Sequence, residues 1–334
     1  MAYTAINDPS LYFQTVLYTG NGGTQDITLP GDTDLQPDLI WTKGRDIAAG
    51  SILTDSVRGV NRQLQAASNA LEETLTTVHT AFNSDGFSLG SNGNVNTDGN
   101  TYVGWCWKET ATAGFDIVTA TGNATAKTIS HSLSAVPHVM ISKEKSGSVN
   151  DWTVYHHKNT SAPETDSLIL NETNATSDQN THWNDTSPTS SVFTVGTGSV
   201  VNRDSSTYVY YLWSEKQGYS KFGKYTGNGK ADGPFVYTGF RPAFVITKRT
   251  DSSTNGHWSI FDTKRNTHNV NDLPLRANVT DAQSSIGNYA FDILSNGFIP
   301  RGTNTTNDDG GTFIYMAFAE APFVNSNGVP CNAR

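Results

Sequence analysis

Along this chain apolar residues come in short runs that alternate with polar ones at a period of two, and Gly, Asn, Asp, Ser and Thr separate the runs. A period of two puts successive side chains on opposite faces of an extended strand, so the pattern predicts short antiparallel strands. Residues 139–143 and 244–248 are rich in β-branched and aromatic types, which suit a pleated, half-buried surface. Residues 207–213 and 312–318 read as long central strands. In the first of these, Tyr208, Tyr210 and Leu212 fall on one face and Val209, Tyr211 and Trp213 on the other. Both faces are apolar, which predicts a strand covered on both sides. Residues 61–77 depart from this period. There Leu64, Leu71 and Leu75 fit a helical stripe, and either a short helix or an extended loop satisfies that spacing.

The pattern occurs three times over. Pro37-Asp38-Leu39-Ile40-Trp41-Thr42-Lys43 recurs as a Pro-to-Lys run starting at Pro137 and ending at Lys143, and again from Pro242 to Lys248. Each run follows a turn: Tyr18-Thr19-Gly20-Asn21, Ala120-Thr121-Gly122-Asn123 and Tyr225-Thr226-Gly227-Asn228. Each unit closes at matched spacing, with Asn96, Tyr102, Trp107 and Glu109, then Asn202, Tyr208, Trp213 and Glu215, then Asn307, Phe313, Phe318 and Glu320. Landmarks repeated in one order predict an all-β chain of three tandem antiparallel β-sandwich, jelly-roll-like domains related by internal repeat. The units span residues 11–109, 113–216 and 219–321, with a lead of residues 1–10 and a tail of 322–334. The connectors are too short to act as free linkers, so neighbouring units touch, as a rigid rod or a compact three-lobed body.

Composition narrows the function classes. The 334 residues carry 22 Lys and Arg against 31 Asp and Glu, a formal charge of −9, which leaves no electrostatic footprint for a phosphate backbone. No apolar run reaches a membrane-spanning length, so no membrane insertion is expected. The N-terminus shows no basic and apolar signal-peptide pattern, so no signal peptide is expected. Two cysteines, Cys106 and Cys331, do not make a disulfide framework or a zinc site.

Candidate chemistry is sparse, and no catalytic residue, metal or cofactor is predicted. Gly20-Asn21-Gly22-Gly23 lacks the Lys-Ser/Thr and the helix of a phosphate loop and reads as a hairpin turn. His156 and His157 are adjacent and so point to opposite faces of a strand. The Asp55/Arg58 and Asp262/Arg265 pairs read as salt bridges or turn caps. The oxygen-rich loop 304–311 reads as a hairpin turn, with calcium as the alternative. Glu109, Glu215 and Glu320 recur at matched positions, which points to structural work in every copy. Cys106 stands where the other copies have Leu212 and Ala317, and it reads as a small buried residue.

Several stretches carry a family resemblance: Ala5-Ile6-Asn7-Asp8-Pro9-Ser10, Tyr12-Phe13-Gln14-Thr15, Tyr18-Thr19-Gly20-Asn21-Gly22, Leu35-Gln36-Pro37-Asp38, Asp55-Ser56-Val57-Arg58-Gly59, Ser84-Asp85-Gly86-Phe87 and Tyr102-Val103-Gly104-Trp105. They resemble the repeated domain of tail-fibre-like structural proteins from tailed phages of marine bacteria. The run from Ala317 to Val324 resembles the usual close of such chains. The resemblance implies a non-enzymatic virion surface protein. The leading expectation is a tail-fibre, tail-tip or receptor-binding component that attaches to the host surface. A capsid decoration protein bound to the head lattice and a carbohydrate-active depolymerase are the alternatives. Expected partners are other virion proteins, further copies of the chain (a trimer first), and a host-surface glycan or protein. The candidate contact loops are His182, Trp183 and Asn184 in the middle unit and the turn holding Asn255 and His257.

Overall fold

Strand Thr207–Trp213, seen in a computed structural model, is buried at every position from Tyr208 to Trp213. Tyr208, Tyr210 and Leu212 enter one apolar cluster, while Val209, Tyr211 and Trp213 enter another. The two-faced alternation therefore has the consequence expected of it: this strand is the middle layer between two cores.

The structure describes residues 3–285, 289–303 and 305–330. Among them the chain is all-β, with three large and three small antiparallel sheets and only short helical turns. None of those helices is long and apolar enough to cross a membrane. The first large sheet runs Phe13–Thr19, Thr101–Trp107, Leu39–Gly44, Ile52–Asp55, Arg62–Gln65, Glu73–Thr74. The second has the corresponding order: Phe115–Thr121, Thr207–Trp213, Val139–Ser146, Thr153–His156, Asp166–Ile169, Ser177–Asp178. The third runs Ser220–Thr226, Thr312–Pro322, Phe240–Arg249, Ser259–Asp262, Leu275–Arg276. A small sheet covers one face of each. In the third, for example, Phe291 and Phe298 meet Phe313, Tyr315 and Ala317.

The opposite faces of all three large sheets meet in one shared core. It holds Trp41, Trp105 and Trp107 from the first, Trp152, Tyr211 and Trp213 from the second, and Phe244, Trp258 and Phe318 from the third. Phe13, Trp107, Phe244 and Phe318 stack or meet edge to face within about 6 Å. Each such side chain contributes roughly 1.5–3 kcal/mol by leaving water. Of the two shapes left open by the short connectors, the shared core excludes a rod.

The repeated landmarks explain themselves as local structure. Asn96 is fully buried; its amide donates to the carbonyls of Gly23 and Gly90, and its oxygen accepts the Asn21 amide at 2.9 Å. Asn202 and Asn307 make the same clasp, accepting from Asn123 and Asn228. The clasp draws the preceding turn so close that a Cβ on Gly20 would lie 2.2 Å from the Thr97 carbonyl oxygen. Only glycine fits there. The helical stripe at 61–77 is not a helix. Leu64 joins the shared core from strand Arg62–Gln65, whereas Leu75 packs on the first small-sheet core, so no single helix face could serve both.

Side chains lock the seams between the sheets in a closed cycle. Lys43 donates to the Val279 carbonyl at 2.6 Å, Lys143 to Asn69 at 2.9 Å, and Lys248 to Asn174 at 2.8 Å. All three lysines are buried, and burial pulls Lys43 and Lys143 down to about 8 and Lys248 to about 7. At the other end of the same sheets, Asp55 accepts the Tyr211 hydroxyl at 2.7 Å and Asp262 accepts the Trp105 indole N–H at 3.2 Å. His156 completes that cycle. Its Nδ1 accepts the Lys158 amide, so its proton stands on Nε2, which donates to the Tyr315 carbonyl at 3.1 Å.

Candidate functional site

The loops proposed from sequence divide into buried and exposed parts. His182 and Trp183 lie in the short helix Asn180–Trp183, and both are buried. Trp183 is fully enclosed among Tyr155, Phe193 and Val195, and His182 Nδ1 bonds the Ser167 hydroxyl at 2.8 Å. A contact role for these two side chains does not fit this placement, because an apolar ring flanked by a period-two strand fills the small-sheet core instead. Asn184, at left-handed φ, is the exposed member that caps the turn. Asn255 also takes a positive φ, and His257 Nδ1 sits 3.0 Å from the Asn278 side-chain amide nitrogen. Cys106 is a free, fully buried thiol, and burial pushes it up. Cys331 and Asn304 lie outside the described residues. In the acidic loop, Asn307 is spent on its clasp and Asp308 pairs with Arg249. Among the described residues no three His, Cys, Asp or Glu side chains are grouped to hold a metal.

Ionisable and aromatic groups also meet elsewhere at the surface, in a groove of about 480 Å³ between the second and third large sheets. It forms because the connector 216–219 turns sharply into strand Ser220–Thr226 while the N-terminal lead crosses it. Thr4 Oγ1 donates to the Gln217 carbonyl at 2.8 Å, and Tyr3 donates to the Gly239 carbonyl at 2.7 Å. The crossing is so close that a Cβ on Gly218, which has a φ of +77°, would lie 2.8 Å from Thr4. The Tyr3 and Tyr237 hydroxyls are 3.3 Å apart, and Tyr237 is 53% exposed. Burial, then the Tyr237 hydroxyl, pushes the Tyr3 phenol up, so it stays neutral.

The floor of the groove is an ordered polar network. The Glu215 carboxylate accepts the Phe222 amide at 2.7 Å and the Lys221 ammonium at 2.9 Å. The Glu215 amide donates to His138 Nδ1 at 3.0 Å, which leaves the His138 proton on Nε2. His157 stands edge-on to His138 with ring centres 4.4 Å apart and donates to the Phe222 carbonyl at 2.7 Å. Burial holds both rings neutral and takes His157 down to about 4. Each Glu215 oxygen accepts one bond and His138 Nδ1 accepts the Glu215 amide, so these two residues and Lys221 present the His138 Nε2–H, the Lys221 ammonium and ring faces to the groove. That equipment suits binding rather than proton transfer or nucleophilic attack.

Glu215 does the structural work expected of it, through its bond to the Phe222 amide. Glu109 does the same for Ile117 at 3.1 Å. The groove is not marked by any local pattern, because Tyr3 and Tyr237 meet only after the chain has come round through all three sheets. One signal was present: His138 replaces the Asp38 and Ala243 of the matching runs. A second, smaller cavity of about 90 Å³ lies beside Phe13, Gln14 and Glu320. There the Gln14 side chain already bonds Ser10, Gly31 and Thr33.

Over residues 8–322 the chain matches the model of a family described as a domain of unknown function, DUF7483, and it belongs to that family. No curated protein matches it.

Proposed function

We propose that this chain is a non-enzymatic virion surface protein of a tailed phage, a tail-fibre, tail-tip or receptor-binding component that attaches to the host surface. On this reading its sheets are three tandem antiparallel β-sandwich, jelly-roll-like repeats, with the boundaries 11–109, 113–216 and 219–321. The virion assignment rests on the resemblance of the quoted motifs. The attachment role rests on one observation above all: the groove between the second and third sheets, where exposed Tyr237 stands beside an ordered network in which Glu215 and His138 accept backbone amides. The rigid shared core favours the same role, since a binding surface on packed sheets loses little order on contact. The test is adsorption. Purified protein added to host cells should block phage attachment in proportion to its concentration, and unimpaired attachment at saturating protein would count against the reading. Other virion proteins anchor the chain, and a homo-oligomer, first a trimer, is checked by the mass of the purified protein in solution.

The closed cycle of seam contacts favours a second reading, a capsid decoration protein. A chain that repeats one contact three times around a common core could seat on a threefold point of a head lattice. Imaging of particles with the protein labelled separates the two: label over the head supports decoration, and label at the tail supports attachment.

A further inference from the structure

We propose that the groove between the second and third sheets is a binding subsite for a neutral sugar unit, such as one hexose or N-acetylhexosamine residue of a glycan. This rests on the attachment reading above and names its ligand class. A sugar ring offers an apolar face of C–H groups and a rim of hydroxyls that both donate and accept. The groove offers the complement. Tyr237 presents a ring that is 53% exposed, an uncommon placement for so large an apolar surface. Beneath the tyrosine edge stand hydroxyls from Tyr3 and Tyr237, the His138 Nε2–H and the Lys221 ammonium. The crossing at Gly218 and the bonds from Glu215 hold this set before any ligand arrives.

Charge selects a neutral ligand. Lys221 is neutralised by Glu215 at 2.9 Å, both histidines are held uncharged, and the chain as a whole carries −9. Among the described residues that line the groove Lys221 is the one cation and is already paired, so an anionic sugar would gain little there and would meet an unfavourable overall field. A volume of about 480 Å³ accommodates a monosaccharide unit with its bound water.

The experiment titrates the full chain with glucose, galactose, mannose, N-acetylglucosamine, N-acetylgalactosamine and the anionic N-acetylneuraminic acid, read by calorimetry and by chemical-shift changes. At least one neutral sugar should bind with a Kd of about 1 mM, as one small ring and a few hydrogen bonds allow. Tyr237→Ala should weaken that binding about tenfold with an unchanged melting temperature. Tyr3→Phe, which removes one hydroxyl, should weaken it by less. Binding of none of the neutral sugars at tens of millimolar, preference for the anionic sugar, or wild-type affinity in Tyr237→Ala would each overturn the proposal. The adsorption assay is run in parallel. If the wild-type protein blocks attachment while no sugar binds, this inference fails and attachment stands. If a sugar binds at Tyr237 but the protein leaves attachment unimpaired, the subsite stands and the attachment reading fails.

Discussion

The seam between the first and second sheets and the seam between the second and third use the same closing glutamate for the same task in opposite company. Glu109 receives the Ile117 amide beside Asp116 and Asp38; Glu215 receives the Phe222 amide beside Lys221 and His157. Burial, with the Asp116 carboxyl next, pushes Glu109 up to about 7. Across the second seam, burial takes His157 down to about 4 and His156 to about 3. A second pair of positions repeats the contrast. Asp55 binds the buried Arg58 guanidinium at 2.5 Å and reaches across to Tyr211, whereas His156 spans to Tyr315 as a neutral ring. The lesson is that repetition conserves a backbone contact, while the charge around it is free to diverge. The two seams should therefore respond to pH in opposite senses.

The largest expected effect comes from removing the charge at the first seam. Asp55→Ala strips buried Arg58 of its close partner and orphans the Tyr211 hydroxyl, and should cost about 3–5 kcal/mol in denaturant unfolding. His156→Ala at the matching place loses a neutral bond and should cost about 1–3 kcal/mol. Equal losses would dissolve the contrast between the seams.

The pH response comes next. His157 titrates lower in the folded chain than the ordinary 6.5, so the unfolded chain binds the proton first. Its contribution is complete above pH 6.5 and lost as pH falls towards 4. Protection of the Phe222 amide, taken relative to its intrinsic exchange rate at each pH, should fall over that window, and in His157→Gln the fall should shrink. Glu109 runs the other way. Its folded value lies above the ordinary 4.5, so stability from its protonated form is complete below pH 4.5 and lost as pH rises through about 7. Glu109→Gln should raise the melting temperature at pH 7.5 and leave it unchanged at pH 4.5. A gain at both values would show that the neighbouring carboxyls do not matter. The smallest effect belongs to Lys221→Met. This half-exposed pair should contribute under about 1 kcal/mol, and thermal unfolding should barely register its loss.

Much of the scaffold was legible in the residues. The alternation at residues 207–213 announced a strand with two apolar faces, and the spacing of Asn202 and Tyr208 announced a repeated turn. Both are local matters, because side-chain period and turn geometry are set within a few residues. The candidate site was much less legible. Trp183 looked like an exposed aromatic in a polar loop, and only the covering strand Val192–Val195 shows it to be core.

Residue order was enough to set the strands, the turns that only glycine and a buried asparagine can make, and the threefold recurrence of both, since each depends on neighbours along the chain. Tertiary structure alone decided that the free faces of the sheets share one core, that Lys43 reaches Val279, and that Tyr3 comes to lie beside Tyr237. The reason is physical. An apolar face specifies that it must be covered but not by what, and the choice of cover follows from how three similar faces fill one volume without voids.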